Sequence, residues 1–281
     1  MAEGRARTVG TADVVRTERL SPHMVRIVLG GEGLAGFGAG EFTDHYVKLL
    51  FAPQGVVYPS PWNLEQIRAD FPRAQWPRQR AYTVRAWDPA HRELTLDFVV
   101  HGDEGLAGPW AARVQPGETV HFLGPGGAYA PDREAGWHLL VGDESALPAI
   151  AATMEAVPAG TQVLAFVEVE GPADELKVAT ADGTTPFWIH RGDRPVGEAL
   201  VEAVTALQFP SPDVQAFVHG EAGFVKELRR HLRLDRGIPR ERLSISGYWR
   251  QGETDEGWRA IKRDWNATVE AEQELPHNAA A

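Results

Sequence analysis

Hydrophobic and polar residues alternate in short segments through the first half of the chain, as is typical of half-buried β-strands. The segment ELTLDFVV, 93–100, places Leu94, Leu96 and Phe98 on one face. A turn at 88–91 joins it to the segment RAYTVRAW, which indicates a hairpin. Similar segments lie at 11–20, 24–31, 44–51 and 118–125. The pattern predicts a closed antiparallel β-barrel of the Greek-key type.

The second half has a different pattern, in which apolar segments alternate with helical ones. Strand-like segments lie at 138–141, 163–171, 187–190, 216–219 and 243–249, and helix-like segments lie at 146–157, 196–207 and 224–234. This alternation predicts an α/β domain whose parallel sheet is covered on both faces. Ligands bind such sheets at the carboxyl ends of the strands, where the turns at 142–145, 220–223 and 247–249 would lie.

These patterns divide the chain into two domains and a tail. A polar link at 132–136 separates a β-barrel domain, 1–131, from an α/β domain, 136–250. In the tail, 251–281, helical spacing places Trp258, Lys262 and Trp265 on one side, which predicts a C-terminal helix.

The composition excludes several classes of protein. The formal charge of −11 argues against nucleic acid as a partner, so an anionic ligand would need a local cluster of Arg and Lys. There is no apolar run long enough for a membrane span and no secretory signal, so we expect a cytoplasmic protein without membrane contact. Cysteine, HExxH and GxSxG are absent. We therefore expect no catalytic side chain and no metal site, and redox chemistry would need an organic cofactor.

The segment 80–83 and the turn that follows its hairpin partner suggest where such a cofactor binds. Arg80 and Tyr82 would share one face of a strand and Thr83 would point the other way, a combination that suits a flavin ring with an anionic tail. The glycine-rich turn 101–108 leads into a helix predicted to begin near Pro109, and free N–H groups there suit a pyrophosphate. The alternatives are an exposed strand face and an ordinary strand-to-helix connection.

Other charged residues are open to two interpretations. Because the second half of the chain has no G-x-G-x-x-G, a nicotinamide cofactor would be held loosely there, and Glu168 and Glu170 would favour NADH by binding ribose hydroxyls. Lys48 lies between apolar neighbours, where it is either an outward strand charge or a ligand contact. The cations at 259–263 belong either to a solvated helix face or to a basic patch.

The motifs RAYTVR, LDFVVHG, GPWA, GDESALPAI, HGEAGFVKELRRHL and SGYWRQGETDEGW occur in this order within 8–262. Together they resemble the siderophore-interacting protein family of ferric-siderophore reductases, which are ferredoxin-reductase-like flavoproteins. The chain has GLAGPWA where many relatives have GPA, two spacer residues and WA. The resemblance implies non-covalent FAD and a ferric siderophore as substrate.

The resemblance also implies site residues. The cofactors would contact Arg80, Ala81, Tyr82, Thr83, Asp97, Val99, His101, Gly102, Gly105, Gly108, Pro109, Trp110, Ala111, Asp143, Glu144, Ser145, Tyr248 and Trp249. The ferric chelate would contact Lys48, Arg259, Lys262 and Arg263.

The mechanism that follows from the resemblance is reduction of FAD by a nicotinamide, then transfer of single electrons to Fe(III) and release of Fe(II). NADH, NADPH and ferredoxin stay open as donors, and we expect a monomer. One alternative is a general NAD(P)H-dependent flavin reductase or diaphorase. The other is a ferric-chelate binding module without flavin.

Overall fold

The alternating segments of the first half form a closed antiparallel barrel in the computed structural model, which describes residues 9–103 and 105–273. Its strands are β1 (Gly10–Ser21), β2 (Met24–Gly30), β3 (Tyr46–Phe51), β4 (Arg78–Asp88), β5 (Glu93–Val99) and β6 (Thr119–Gly126). The strand order is β1-β2-β5-β4-β3-β6. Strands β2 and β3 follow each other in the chain but are not neighbours in the barrel, and the same holds for β5 and β6. The predicted Greek-key barrel is therefore confirmed.

The barrel encloses the hydrophobic residues that the alternation identified. Ile27, Leu49, Leu94, Leu96 and Phe98 are all fully buried in one cluster. Burying a side chain of this size contributes about 1.5–3 kcal/mol to folding. The inward face of each strand is therefore what holds the barrel closed.

The proline-rich segment between β3 and β4 packs on the barrel. It contains helix α1 (Leu64–Asp70), which begins after Asn63 because the Asn63 side chain is its N-cap and accepts the N–H groups of Glu65 and Gln66. The ring of Trp62 stacks on His121 of β6, with centroids 3.8 Å apart. Aromatic contacts hold this segment in place.

A short helix, α2 (Ala107–Ala111), follows β5. The prediction that it begins near Pro109 is wrong by two residues. Leu106 is the N-cap, and Pro109 lies inside the first turn. Proline is tolerated there because the N–H groups of a first turn have no partner within the helix.

The second half forms a five-stranded parallel sheet, as predicted. Its strands are β7 (Trp137–Gly142), β8 (Val163–Val169), β9 (Thr184–His190), β10 (Val214–Glu221) and β11 (Leu243–Trp249). The order is β11-β10-β7-β8-β9, so the direction of strand addition reverses between β7 and β10. Open sheets of this kind bind ligands at that reversal, outside the carboxyl ends of the strands.

Helices cover both faces of the sheet. They are α3 (Leu147–Ala156), α4 (Glu198–Thr205) and α5 (Ala222–Arg230), followed by the C-terminal helix α6 (Asp255–Gln273). Leu139 and Val141 of β7 pack with residues of α4 and α5. Gly142 points the other way, towards Ala146 and Ile150 at α3. Helix α4 is shorter than the predicted 196–207, since the N-cap residue Gly197 has the left-handed φ of 83°.

Contacts along its length fix helix α6 to the second unit. Trp258 is buried and donates from Nε1 to the carbonyl of Gly247 at 3.3 Å. Gln273 accepts from Arg229 of α5 at 2.8 Å. The division between the two compact units of the chain falls between Ala128 and Tyr129. Among the described helices, none combines the length and apolar composition needed to span a bilayer.

One face of the sheet buries a histidine. His219 of β10 is 4% exposed, stacks on Phe217 with centroids 3.7 Å apart, and has Nε2 3.0 Å from the hydroxyl of Ser244. Burial, with the nearby charge of Lys262, lowers the pKa of His219 to about 3. The imidazole is therefore neutral in the folded protein near pH 7.

Acid should destabilise the protein through His219. Its unfolded-state pKa is about 6.5, so between there and the folded pKa of about 3 the unfolded state binds more protons. The free energy of unfolding should then fall as the pH falls, with a contribution of up to about 1.4 kcal/mol per pH unit. Urea unfolding at pH 7, 6 and 5 should show a shallower pH dependence for His219→Gln.

The matched control is His91→Gln. His91 is exposed, and its pKa is raised by the hydrogen bond to Asp88, so its loss should not flatten the acid dependence. An identical slope in the wild type and in His219→Gln would contradict the prediction.

Candidate functional site

The start of β4 brings the predicted ring-binding residues beside the end of β5. The ring of Tyr82 lies against Phe98, with centroids 4.1 Å apart. Because the two strands are antiparallel, Arg80 lies further towards the turn that follows β5. Arg80 is part-buried and donates to the carbonyl of Gln79 at 3.0 Å, and Thr83 is 8% exposed. An arginine and two hydroxyl groups thus line one end of this hairpin.

The turn after β5 has the conformation that glycine permits. Gly102 and Gly105 have φ values of 57° and 85°, and no atom lies within 4 Å of the position of an added Cβ at either residue. A Cβ on Gly108 would lie 3.2 Å from the carbonyl oxygen of Val99, so α2 packs closely on the strand end. Trp110 packs on Phe98 at 5.5 Å.

These residues fit a flavin nucleotide. The open, left-handed glycine positions let the backbone of the turn approach a phosphate closely. Tyr82 offers an aromatic face and a hydroxyl, and Arg80 offers a cation at the same strand end. The donor set matches a ring with polar edges and an anionic tail.

Asp97 of β5 has a partner on the neighbouring strand β2. Its carboxylate forms a two-pronged ion pair with Arg26, with distances of 2.7 Å and 2.8 Å, and the residue is 5% exposed. The sequence placed Asp97 among the cofactor contacts. The geometry instead assigns its carboxylate to the pairing of β2 with β5.

Asp143, directly after β7, accepts four hydrogen bonds at the carboxyl edge of the sheet. Its Oδ2 accepts from the backbone N–H of Glu221 at 2.9 Å and from Nε1 of Trp249 at 2.8 Å. Its Oδ1 accepts from the N–H of Ser145 at 2.9 Å and from the hydroxyl of the same residue. Burial raises the pKa of the Asp143 carboxyl, and these donors oppose the shift. At 1% exposure, Asp143 acts on the site through the strand ends that it joins.

A second cluster surrounds Arg191, which follows β9. Its guanidinium lies 3.3 Å from Glu144 and 3.3 Å from Glu168, and 4.0 Å from Glu170. Glu168 is fully buried and also accepts the N–H of Gly197 at 2.9 Å. Burial raises the pKa of Glu144 and of Glu168, and the charge of Arg191 opposes this.

The prediction that Glu168 would bind a ribose is therefore wrong, because its carboxylate is bound within the protein. Arg191 was missed in the sequence. The signal that could have found it is a basic residue placed directly after the third strand of the sheet, at the edge where the acids Glu168 and Glu170 also lie.

The last strand presents two part-buried aromatic residues at the same edge. The ring of Tyr248 meets His219 edge to face, with centroids 5.0 Å apart. Trp249 is held by its bond to Asp143. The loop beyond is fixed by Glu221, whose carboxylate accepts the N–H of Gln251 at 3.1 Å. The turn at 142–145 and the end of β11 are thus brought together, as the sequence predicted.

The predicted cations have different environments. Lys48 pairs in register with Ala81, and its Nζ lies 5.8 Å from the centre of the Tyr46 ring. Lys262 of α6 is part-buried and donates to the hydroxyl of Ser246 at 3.1 Å, and burial lowers its pKa. Arg259 and Arg263 are exposed and line, with Lys262, a surface depression of about 460 Å³ along α6.

The remaining predicted contacts all lie in the first unit. Ala81, His101, Gly102 and Gly105 are exposed, Val99 and Gly108 are part-buried, and Pro109 and Ala111 are buried. Among the described residues, no group of His, Cys, Asp or Glu side chains could hold a metal ion.

Comparison with known proteins covers most of the chain. Residues 13–129 match the family model of the siderophore-interacting FAD-binding domain, and residues 135–252 match that of the siderophore-interacting protein. An uncharacterized protein of Mycobacterium tuberculosis is 46% identical over 90% of this chain and 94% of its own length. The ferric vibriobactin reductase ViuB of Vibrio cholerae is 31% identical, covering 88% of this chain and 91% of its own.

Two further relatives agree with these matches. The NADPH-dependent ferric-chelate reductase of Escherichia coli is 33% identical over 84% of this chain and 91% of its own length. The crystal structure of a siderophore utilization protein from T. fusca superposes with a TM-score of 0.77 at 37% identity, covering 90% of this chain and 97% of that one. The barrel with its RAYT strand, the parallel sheet that follows it and these matches together establish that the chain belongs to the siderophore-interacting protein family.

Proposed function

We propose that this protein is an FAD-dependent ferric-siderophore reductase that uses NADH or NADPH as its electron donor. The observation that carries the proposal is the placement of Arg80 and Tyr82 beside the glycine turn after β5. The relatives named ferric vibriobactin reductase and NADPH-dependent ferric-chelate reductase support the substrate class and a nicotinamide donor. Release of the iron is proposed to occur in the cytoplasm.

The chain's own residues bind and orient the reactants. Arg80, Tyr82 and Thr83 would hold the ring end of FAD, and the turn containing Gly102 and Gly105 would hold its phosphates. Bound FAD supplies the conversion of a two-electron donor into one-electron steps. The dihydronicotinamide loses two electrons and two ferric ions gain one each, so the electrons balance.

Cations would orient the ferric chelate. Siderophore chelates present many oxygen atoms, which Lys and Arg bind through charge-assisted hydrogen bonds. Lys48 and Lys262 are the proposed contacts whose side chains are already part-buried, while Arg259 and Arg263 are exposed. An acidic chain of formal charge −11 needs such local cations to attract an anionic chelate.

The test of the function is an anaerobic reduction assay across ferric chelates of different charge, with a ferrous trap. NADH, NADPH and reduced ferredoxin are compared as donors. We expect the ferrous complex to form with a nicotinamide donor, and its absence with every donor and chelate would contradict the proposal.

Replacing Arg80 should weaken FAD binding. A charge-assisted hydrogen bond is worth about 1.5–3 kcal/mol, so Arg80→Ala should raise the dissociation constant of FAD roughly ten- to a hundredfold. Titration of the flavin-free protein, followed by flavin fluorescence, measures this. The control is Arg73→Ala, which changes an exposed arginine of the proline-rich segment. Equal affinity in Arg80→Ala and the wild type would contradict the assignment.

Replacing Lys262 should weaken the reduction of a ferric siderophore and leave the reduction of a small dye unchanged. Lys262→Ala should raise KM for an anionic ferric siderophore roughly tenfold, since about 1.4 kcal/mol of charge-assisted binding is lost. Reduction of an uncharged dye should not change. Lys226→Ala is the matched control, because Lys226 is a part-buried lysine paired with Glu272 on the same unit. Equal losses on dye and chelate would favour a general diaphorase.

A further inference from the structure

Nicotinamide dinucleotides are usually held by their pyrophosphate at helix N-termini along the carboxyl edge of a parallel sheet. The N–H groups at the start of a helix have no partner within the helix and carry partial positive charge. At this edge of the protein, acceptors can be assigned to N–H groups at the starts of α3, α4 and α5.

The start of α3 is occupied by Asp143. The N–H of Ser145 donates to its Oδ1, and the N–H groups of Ala146 and Leu147 donate to its backbone carbonyl at 3.0 Å and 3.1 Å. The next residue, Pro148, has no N–H group. The donors that a phosphate would use here are already bonded or missing.

The start of α5 is occupied by two carboxylates. The N–H of Glu221 donates to Asp143 at 2.9 Å. The side chain of Glu221 then accepts the N–H groups of Gly223 and Phe224, as an N-cap. A Cβ on Gly220 would lie 2.7 Å from the Asp143 carboxylate, which shows how closely the strand end approaches it.

The start of α4 is occupied by Glu168. Both oxygens of this buried carboxylate lie near the N–H of Gly197, at 2.9 Å and 3.0 Å. Its charge is balanced by Arg191, which is the cation that would otherwise be placed to bind a phosphate. The same edge also carries the carboxylates of Glu144 and Glu170.

We infer that this protein recognises its electron donor through the dihydronicotinamide half alone, because its own carboxylates occupy the positions at the sheet edge where the pyrophosphate of a dinucleotide would bind. A phosphate would have to displace a carboxylate from its hydrogen bonds and would be repelled by it. The adenosine and its 2′-phosphate would add little binding free energy. NADH and NADPH should therefore have nearly equal kcat/KM. This inference rests on the proposed use of a nicotinamide donor.

The experiment compares reduced nicotinamide mononucleotide, NADH and NADPH as reductants of the holoprotein under anaerobic conditions. We expect kcat/KM for the three donors to agree within about tenfold, since a used pyrophosphate site would contribute more than that. Titration calorimetry should likewise give similar dissociation constants for the oxidised mononucleotide and NAD⁺. A dinucleotide preference above tenfold, or no reduction by any of the three donors, would overturn the inference.

The function itself is tested separately from the donor. Holoprotein reduced photochemically, without nicotinamide, is mixed with a ferric siderophore and a ferrous trap. Formation of the ferrous complex supports the reductase function whichever donors succeed. Failure of this reaction would contradict the proposed reductase function. It would not contradict the inference that carboxylates occupy the helix N-termini.

A variant tests the role of the carboxylates directly. Glu168→Gln keeps an acceptor for the N–H of Gly197 and removes the negative charge, so the preference for NADH over the mononucleotide should rise severalfold. Glu202→Gln is the matched control, since Glu202 is an exposed glutamate of α4 paired with Arg194. Its preference should equal that of the wild type. Thermal melting should first show that both variants are folded. An unchanged preference for NADH over the mononucleotide in Glu168→Gln would then contradict the inference.

Discussion

The carboxyl edge of the sheet depends on one buried carboxylate. A carboxylate out of contact with water is strongly disfavoured unless hydrogen bonds replace its hydration. Asp143 has these bonds only because the ends of β7, β10 and β11 meet around it. If any one of these strand ends moved away, a buried charge would lose a donor. The positions of the α3 and α5 starts and of Trp249 are therefore coupled to one another.

The two units satisfy their polar groups in opposite ways. In the barrel, the turn containing Gly102 and Gly105 is exposed and has open space around it, so its backbone can approach a ligand. In the sheet unit, the helix starts at the carboxyl edge are capped by Asp143, Glu168 and Glu221. The first arrangement suits tight binding of a resident cofactor. The second suits a donor that binds briefly and leaves.

The sequence predicted the fold well because periodicity is a local signal. Alternation in ELTLDFVV identified the buried face of β5, and the strand–helix alternation identified the parallel sheet. The site was predicted less completely, because its bonds join distant segments. Trp249 donates to a residue 106 positions earlier in the chain, and no local pattern reports that pair. For the same reason Asp97 was assigned to a cofactor, although Arg26, 71 positions away, holds it.

Lys262 shows how burial changes the meaning of a charge found by sequence. Helical spacing placed it with Trp258 and Trp265 on one side of α6, beside the exposed Arg259 and Arg263. The structure ties its ammonium group to Ser246 and lowers its pKa by burial. A lysine held in this way loses little side-chain freedom on binding an anion, whereas an exposed arginine must be ordered first. An anion bound at Lys262 would compensate for the hydration that burial removes from the ammonium group. The same charge is therefore unfavourable in the free protein and favourable in a complex with an anion.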